Sequence, residues 1–256
     1  GAFSNTGEAD GPPMRPGPTK GDAGTGVQMA RNISAAYVQN LNTGKGQLIE
    51  LSMQEAMTYY LRTSTSRCNY GETAALRNGN GKLPNMSLYP CKGGGPNDYV
   101  FIMAVTPRMW EALTEVIGRP EFAADERFKH NRSRLKNTDL LMPEIEKWTM
   151  QYDKYEAMTL LSEGGVPASA VLSTKDIYDN PHVNERGFVH EVEHPVVGPI
   201  KLWGWPGKLS ESEVAIVAAP VLGQHSAEVL AQDLDMSDGD IAALIESGAI
   251  EVAKPF

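Results

Sequence analysis

The chain has 256 residues, 41% of them hydrophobic, and sets 23 lysines and arginines against 32 aspartates and glutamates for a formal net charge of -9. That length and composition provide for one large domain or two modest ones with a substantial core, and the interspersed, net acidic charge argues against a nucleic-acid or anionic-membrane surface while leaving a small organic substrate open. No run approaches the roughly twenty apolar residues of a membrane span, and the N-terminus lacks the layout of a signal peptide, so a soluble, cytoplasmic protein is expected.

In chain order, Gly1 to Gly26 is crowded with glycine and proline, including Gly11-Pro12-Pro13 and Pro16-Gly17-Pro18, and is expected to be extended or looped. Val27, Ile33, Ala36, Tyr37 and Leu41 have the spacing of a helix closed by Thr43-Gly44, with a short strand from Gln47 to Ser52 after it. A second helix is expected from Met53 to Leu61, followed by a polar, glycine-dotted stretch ending at Leu88. Tyr99 to Val105 is rich in aromatic and β-branched residues and predicts a strand. Thr106 then caps a helix with Pro107 in its first turn and Trp110, Leu113, Val116 and Ile117 on its core face. Two further helices are expected, Met142 to Gln151 with Pro143 at its start and Lys154 to Glu163 stopped by Gly164-Gly165. Gly187 to Glu193 and Ile200 to Trp203 read as the strands of a hairpin-like return, and Ala227 to Leu234 and Asp238 to Ser247 as helices, the last capped by Ser237.

Two cysteines, Cys68 and Cys91, are too few for a disulfide framework and form no CxxC pair, which predicts reduced, unpaired thiols. The histidines at 130, 182, 190, 194 and 225 lack any spacing that would bring two rings to one metal, and no metal site is expected. Gly79-Asn80-Gly81 and Gly93-Gly94-Gly95 are the places where backbone could approach a ligand closely, although glycine clusters of this kind also build plain turns. Neither has the spacing of a dinucleotide or phosphate loop, and no Gly-x-Ser-x-Gly elbow is present. Asp22, flanked by Gly21 and Ala23-Gly24, is an accessible carboxylate that could serve as a turn or cap residue or have a chemical role.

Taken in order, a set of segments resembles the class III coenzyme A transferases of CaiB/BaiF type. They are Thr6-Gly7-Glu8-Ala9-Asp10-Gly11-Pro12-Pro13, Gly21-Asp22-Ala23-Gly24-Thr25-Gly26, Thr43-Gly44-Lys45-Gly46-Gln47 and Tyr89-Pro90-Cys91-Lys92 with the strand after it. Gly164-Gly165-Val166-Pro167-Ala168, Asp179-Asn180-Pro181-His182, Arg186-Gly187-Phe188, His194-Pro195-Val196-Val197-Gly198 and Ala219-Pro220-Val221-Leu222-Gly223-Gln224-His225 complete it. The resemblance implies an α/β fold with an incomplete Rossmann-like large domain, a smaller α+β domain and interlocked dimers. It maps residues 1–52 to the large domain, 53–75 to a linker helix and loop, 76–185 to the small domain and 186–256 to the return into the large domain.

The same resemblance implies transfer of CoA from an acyl-CoA thioester to a small carboxylic acid through an aspartyl intermediate, which is covalent catalysis by a carboxylate nucleophile. A glycine-rich loop of the small domain then covers the reactive species; by position it is Gly79-Asn80-Gly81, shorter here than the family's run of glycines. Gly79, Asn80, Gly81, Gly21 and Asp22 are the expected substrate and CoA contacts, while Gly93-Gly94-Gly95 become the turn into the Tyr99 strand. The family aspartate lies upstream of the segment matching Gly1-Ala2-Phe3-Ser4, so no catalytic residue is assigned on this chain, and a fragment or subunit needing an N-terminal half, or a homo-oligomer, is expected. CoA enters as substrate, with no tightly bound cofactor. An α-methylacyl-CoA racemase-like enzyme and a non-catalytic CoA-thioester-binding or interaction subunit are the alternatives; the Pro96-Asn97-Asp98 variant and the glycines at 79 and 81 favour a transferase.

Overall fold

The computed structural model describes residues 1–66, 68–77, 79–80 and 83–253, arranged in two compact units, Gly1–Val171 and Leu172–Phe256. In the first unit, turns over residues 1–19 lead into a long helix, α1 (Lys20–Thr43), ended by Gly44 at φ 67° with its amide on the Asn40 carbonyl at 2.7 Å. The helix therefore starts well inside the stretch expected to be looped. Glycine costs about 1 kcal/mol relative to alanine in a helix interior, but Gly24 has a packing reason: a Cβ there would stand 2.9 Å from the Tyr60 hydroxyl. That close approach places α1 on α2 (Met53–Tyr59), whose N-terminus is capped by Ser52. A short helix, α3 (Arg62–Thr65), follows. The strand expected at Gln47–Ser52 does not form, because that segment has no ladder partner among the described residues, and Leu48 is 84% exposed.

The core of this unit lies between residues 85 and 171. β1 (Met86–Pro90) and β2 (Tyr99–Met103) make an antiparallel hairpin with Met86 opposite Met103 and Pro90 opposite Tyr99, and β3 (Ala168–Ala170) adds antiparallel to β2 with Val100 opposite Ala170. Gly93-Gly94-Gly95 are the hairpin turn, with Gly93 and Gly94 at positive φ and the Gly95 amide donating to the Asp98 carboxylate at 2.9 Å. Alternate strand positions, among them Tyr89, Val100 and Ile102, are buried against α4 (Pro107–Val116), α6 (Thr138–Thr149) and α7 (Lys154–Glu163). Trp110, Leu113, Leu141, Ile145, Leu161 and Val166 belong to that core, with Phe122, Phe128 and Trp148 among others.

Helix α4 has the expected Thr106 cap and first-turn proline, and α7 runs over its expected span behind a capping box of Asp153 and Glu156. Helix α6 begins earlier than expected, so that Pro143 sits inside it and not at its start. The hydrogen bond lost at proline is offset by the complete burial of Leu141 and Ile145 on either side of it. Among the elements with no counterpart in the sequence reading are β1, β3 and α5 (Asn131–Lys136).

The second unit holds α8 (Thr174–Asp179), α9 (Pro181–Glu185), the hairpin of β4 (Val189–His194) and β5 (Gly198–Trp203), and then α10 (Ser226–Leu234) and α11 (Asp238–Glu246). The hairpin pairs Val189 with Trp203 and His194 with Gly198, and the Trp203 ring packs near Tyr178 and Phe188 at centroid separations of 5.6 and 6.4 Å. Ser237 caps α11 as expected. Among the described residues of this unit Ile241 alone is a buried hydrophobic, whereas Leu222 is 87% exposed. The described strands of both sheets pair antiparallel. No helix among the described residues is long and apolar enough to cross a membrane.

Candidate functional site

The Gly79-Asn80 segment lies on the N-terminal loop, across more than sixty intervening residues. That N-terminal loop is fixed by its own main chain: the Asn5 amide donates to the Gly1 carbonyl at 3.2 Å, Gly11 to Glu8 at 3.2 Å and Met14 to Thr6 at 2.9 Å. Gly79 adopts φ 56° and its amide donates to the Gly7 carbonyl at 2.9 Å. The Glu8 carboxylate rests against it so closely that a Cβ at position 79 would collide with one of its oxygens. Positive φ and this close approach both call for glycine. Asn80 is tied to β1 from the other side, its carbonyl accepting from the Ser87 hydroxyl at 3.2 Å. Gly81, the third residue of the expected loop, lies outside the described residues.

The sheet supplies a fixed base for this loop. The Asn85 side chain donates to the Ala104 carbonyl at 3.0 Å, the Ala104 amide returns a bond to the Asn85 carbonyl at 2.7 Å, and the buried Tyr89 hydroxyl donates to the Pro84 carbonyl. Between the N-terminal loop, α3 and the 73–77 segment is a cavity of about 400 Å³ lined by Ser4, Asn5, Ser64, Cys68 and Arg77 among others. It adjoins a second cavity of about 560 Å³ that reaches Gly79. Leu61, Ala74, Ala75 and Leu76 make the first cavity mainly apolar beside its few polar groups, the usual balance of a small-molecule site.

Gly21 and Asp22 are placed differently. Both belong to the first turn of α1, where the exposed Asp22 carboxylate complements the helix N-terminus. No hydrogen bond or ion pair among the described residues joins either to the 79–80 loop. The helix starts at Lys20, so Asp22 neither forms a turn nor caps a helix beginning near Val27.

Both thiols are free. Cys91 is completely buried beneath the hairpin turn, and burial, with the nearby Asp98 and Asp153 carboxylates, pushes its pKa up to about 11. A thiol so poorly ionised is unsuited to nucleophilic work. Cys68, at the cavity wall, is part-buried, its Sγ 2.8 Å from the Thr65 carbonyl. No group of histidine, cysteine or carboxylate side chains among the described residues could hold a metal ion. Arg77 and Glu8 are the site residues that the sequence did not single out. The signal was slight: a lone arginine two residues before Gly79, and a glutamate inside a Gly-rich segment.

Residues 1–226 match the model of CoA-transferase family III, and the chain belongs to that family. It is 35% identical over 266 residues to a formyl-CoA:oxalate CoA-transferase of Streptomyces coelicolor, an alignment covering 98% of this chain and 64% of that protein. It is 34% identical over 273 residues to the protein of that name from Rhodopseudomonas palustris, again with 98% and 64% covered. The chain thus spans about 64% of the length of these curated relatives. Among solved structures, a CaiB/BaiF family protein from Brucella suis superposes with a TM-score of 0.72 at 25% identity, over 90% of this chain and 60% of that one. Rv3272 from Mycobacterium tuberculosis, at a TM-score of 0.71, 20% identity, and 89% and 60% coverage, shares the fold.

Proposed function

We propose that this chain forms part of a CoA-transferase that moves coenzyme A between an acyl-CoA thioester and a small carboxylic acid. The observation carrying this reading is the docking of Gly79 onto the Gly7-Glu8 turn beside the cavity, in a chain matching the family over residues 1–226. The relatives named for formyl-CoA and oxalate support a short acyl donor and a small dicarboxylate acceptor.

In this reading a carboxylate nucleophile attacks the thioester carbonyl, CoA thiolate leaves, and the thiolate then returns to an enzyme-bound acyl group, so that one hard exchange becomes several easier ones. The aspartyl intermediate of this reading needs an aspartate carboxylate as the nucleophile. Gly79, Asn80 and Gly81 cover the reacting groups, and Gly21 and Asp22 contribute to the CoA or substrate surface. Apolar surface supports the need for further structure: Val27, Ile33, Tyr37, Val38 and Leu41 of α1 are all exposed, and the second unit has almost no buried core of its own.

The test is acyl exchange assayed with this chain alone and with a candidate N-terminal half added. Exchange only in the combined sample supports the reading. Loss of deuterium from the α-carbon without exchange would instead identify a racemase, and thioester binding without turnover a non-catalytic subunit.

A further inference from the structure

We propose that Arg77 is a positioning residue that latches residues 73–77 and 79–80 onto the N-terminal loop, and that this latch keeps water from the reacting thioester. Its guanidinium donates through Nη2 to the Gly11 carbonyl at 2.7 Å, through Nε to the Glu8 carbonyl at 3.3 Å and through Nη1 to the Ser4 carbonyl at 3.4 Å. All three acceptors are main-chain oxygens of one loop, and Arg77 enters no ion pair among the described residues. The planar fork is what allows one side chain to reach three separated carbonyls, a task that the compact ammonium of lysine cannot copy. The three carbonyls bracket Gly7, whose own carbonyl receives the Gly79 amide. Side chain and backbone therefore grip the same turn.

The rest of the segment contributes little to holding it. Thr73, Ala74, Leu76, Gly79 and Asn80 are exposed and Ala75 is half-buried, so among the described residues the remaining bonds to the N-terminal loop are the Gly79 amide bond and the packing of the Glu8 carboxylate against it. Arg77 also lines the cavity of about 400 Å³, which makes it both the wall and the fastening of the same space.

The consequence rests on the transferase reading. With the loop displaced, water adds to the thioester carbonyl carbon, the C–S bond breaks, and the thiol departs with the proton that water gives up, leaving the free acid. A latched loop excludes that water and leaves the acceptor carboxylate as the nucleophile that succeeds.

In the intact active protein, Arg77→Ala should raise the ratio of free CoA released to acyl-CoA product formed by about tenfold, with Arg77→Lys between the two and both variants melting as the parent does. Amide exchange read by mass spectrometry should show faster deuteration at Gly79 in Arg77→Ala. An unchanged product ratio in a folded Arg77→Ala protein, or unchanged protection of the Gly79 amide, would overturn the proposal. Absence of any CoA exchange in the parent would count against the transferase reading instead, and the Gly79 amide would still decide whether Arg77 holds the loop. Should Arg77→Ala fail to fold, Arg77→Lys carries both readouts, and parental values for either would overturn the latch.

Discussion

The Arg134 guanidinium stacks 4.4 Å above the centroid of the Trp110 ring, and both residues are buried. Its Nη1 donates to the carbonyls of Phe128 at 2.7 Å and Lys129 at 3.2 Å, so α5 is fastened to α4 by a cation with no carboxylate partner among the described residues. Burial pushes its pKa down, which is the expected sign for a cation taken out of water.

Arg134→Ala should therefore lower stability by about 3 kcal/mol, since it strips the buried Phe128 carbonyl and the part-buried Lys129 carbonyl of a donor and removes a desolvated cation–π contact. Urea unfolding followed by tryptophan fluorescence measures it. A loss below about 1 kcal/mol would mean that water replaces the guanidinium at little cost.

This contact also shows why α5 escaped the sequence. Apolar periodicity finds helices whose buried face is apolar, as in α4 and α7, and the Asn131–Lys136 helix instead buries an arginine. Helix α1 was legible from Val27 onward but not from Lys20, because Gly21, Gly24 and Gly26 argue against a helix and only the fold shows that Gly24 is there to let Tyr60 approach. The hairpin turn at Gly93–Gly95 and the caps at Thr106 and Ser237 were legible because each is a local signal. The union of Arg77 and Gly79 with the first dozen residues was not, since it is made by main-chain carbonyls brought together only by the fold.

Two aliphatic truncations separate the real core from surface that awaits cover. Ile145→Ala, at a fully buried position, should cost about 2–5 kcal/mol. Leu41→Ala, on the exposed face of α1, should cost less than about 0.5 kcal/mol in this chain alone. If that face is covered in the complete assembly, the same Leu41→Ala change should cost several-fold more there. Equal small effects in both settings would show that α1 stays solvated.

Cys91 predicts a pH dependence with a definite sign. The thiol's pKa is raised from 9.0 to about 11 in the folded chain, so its contribution is fully present below pH 9, declines as the unfolded thiol loses its proton, and is gone above the folded value. Denaturation midpoints should fall between pH 9 and pH 11, and replacing Cys91 with alanine should flatten part of that slope. In the native protein an alkylating reagent should modify the cavity-wall Cys68 and spare Cys91; rapid labelling of Cys91 would contradict its burial.

The most direct measurement on the central claim follows carbon. With acyl-CoA donor and ¹³C-labelled oxalate supplied to the intact protein, mass spectrometry should find the label in a new CoA thioester, formed as the donor acid is released. Release of the donor acid with free CoA and no labelled thioester, across the small carboxylates tried, would contradict a transferase.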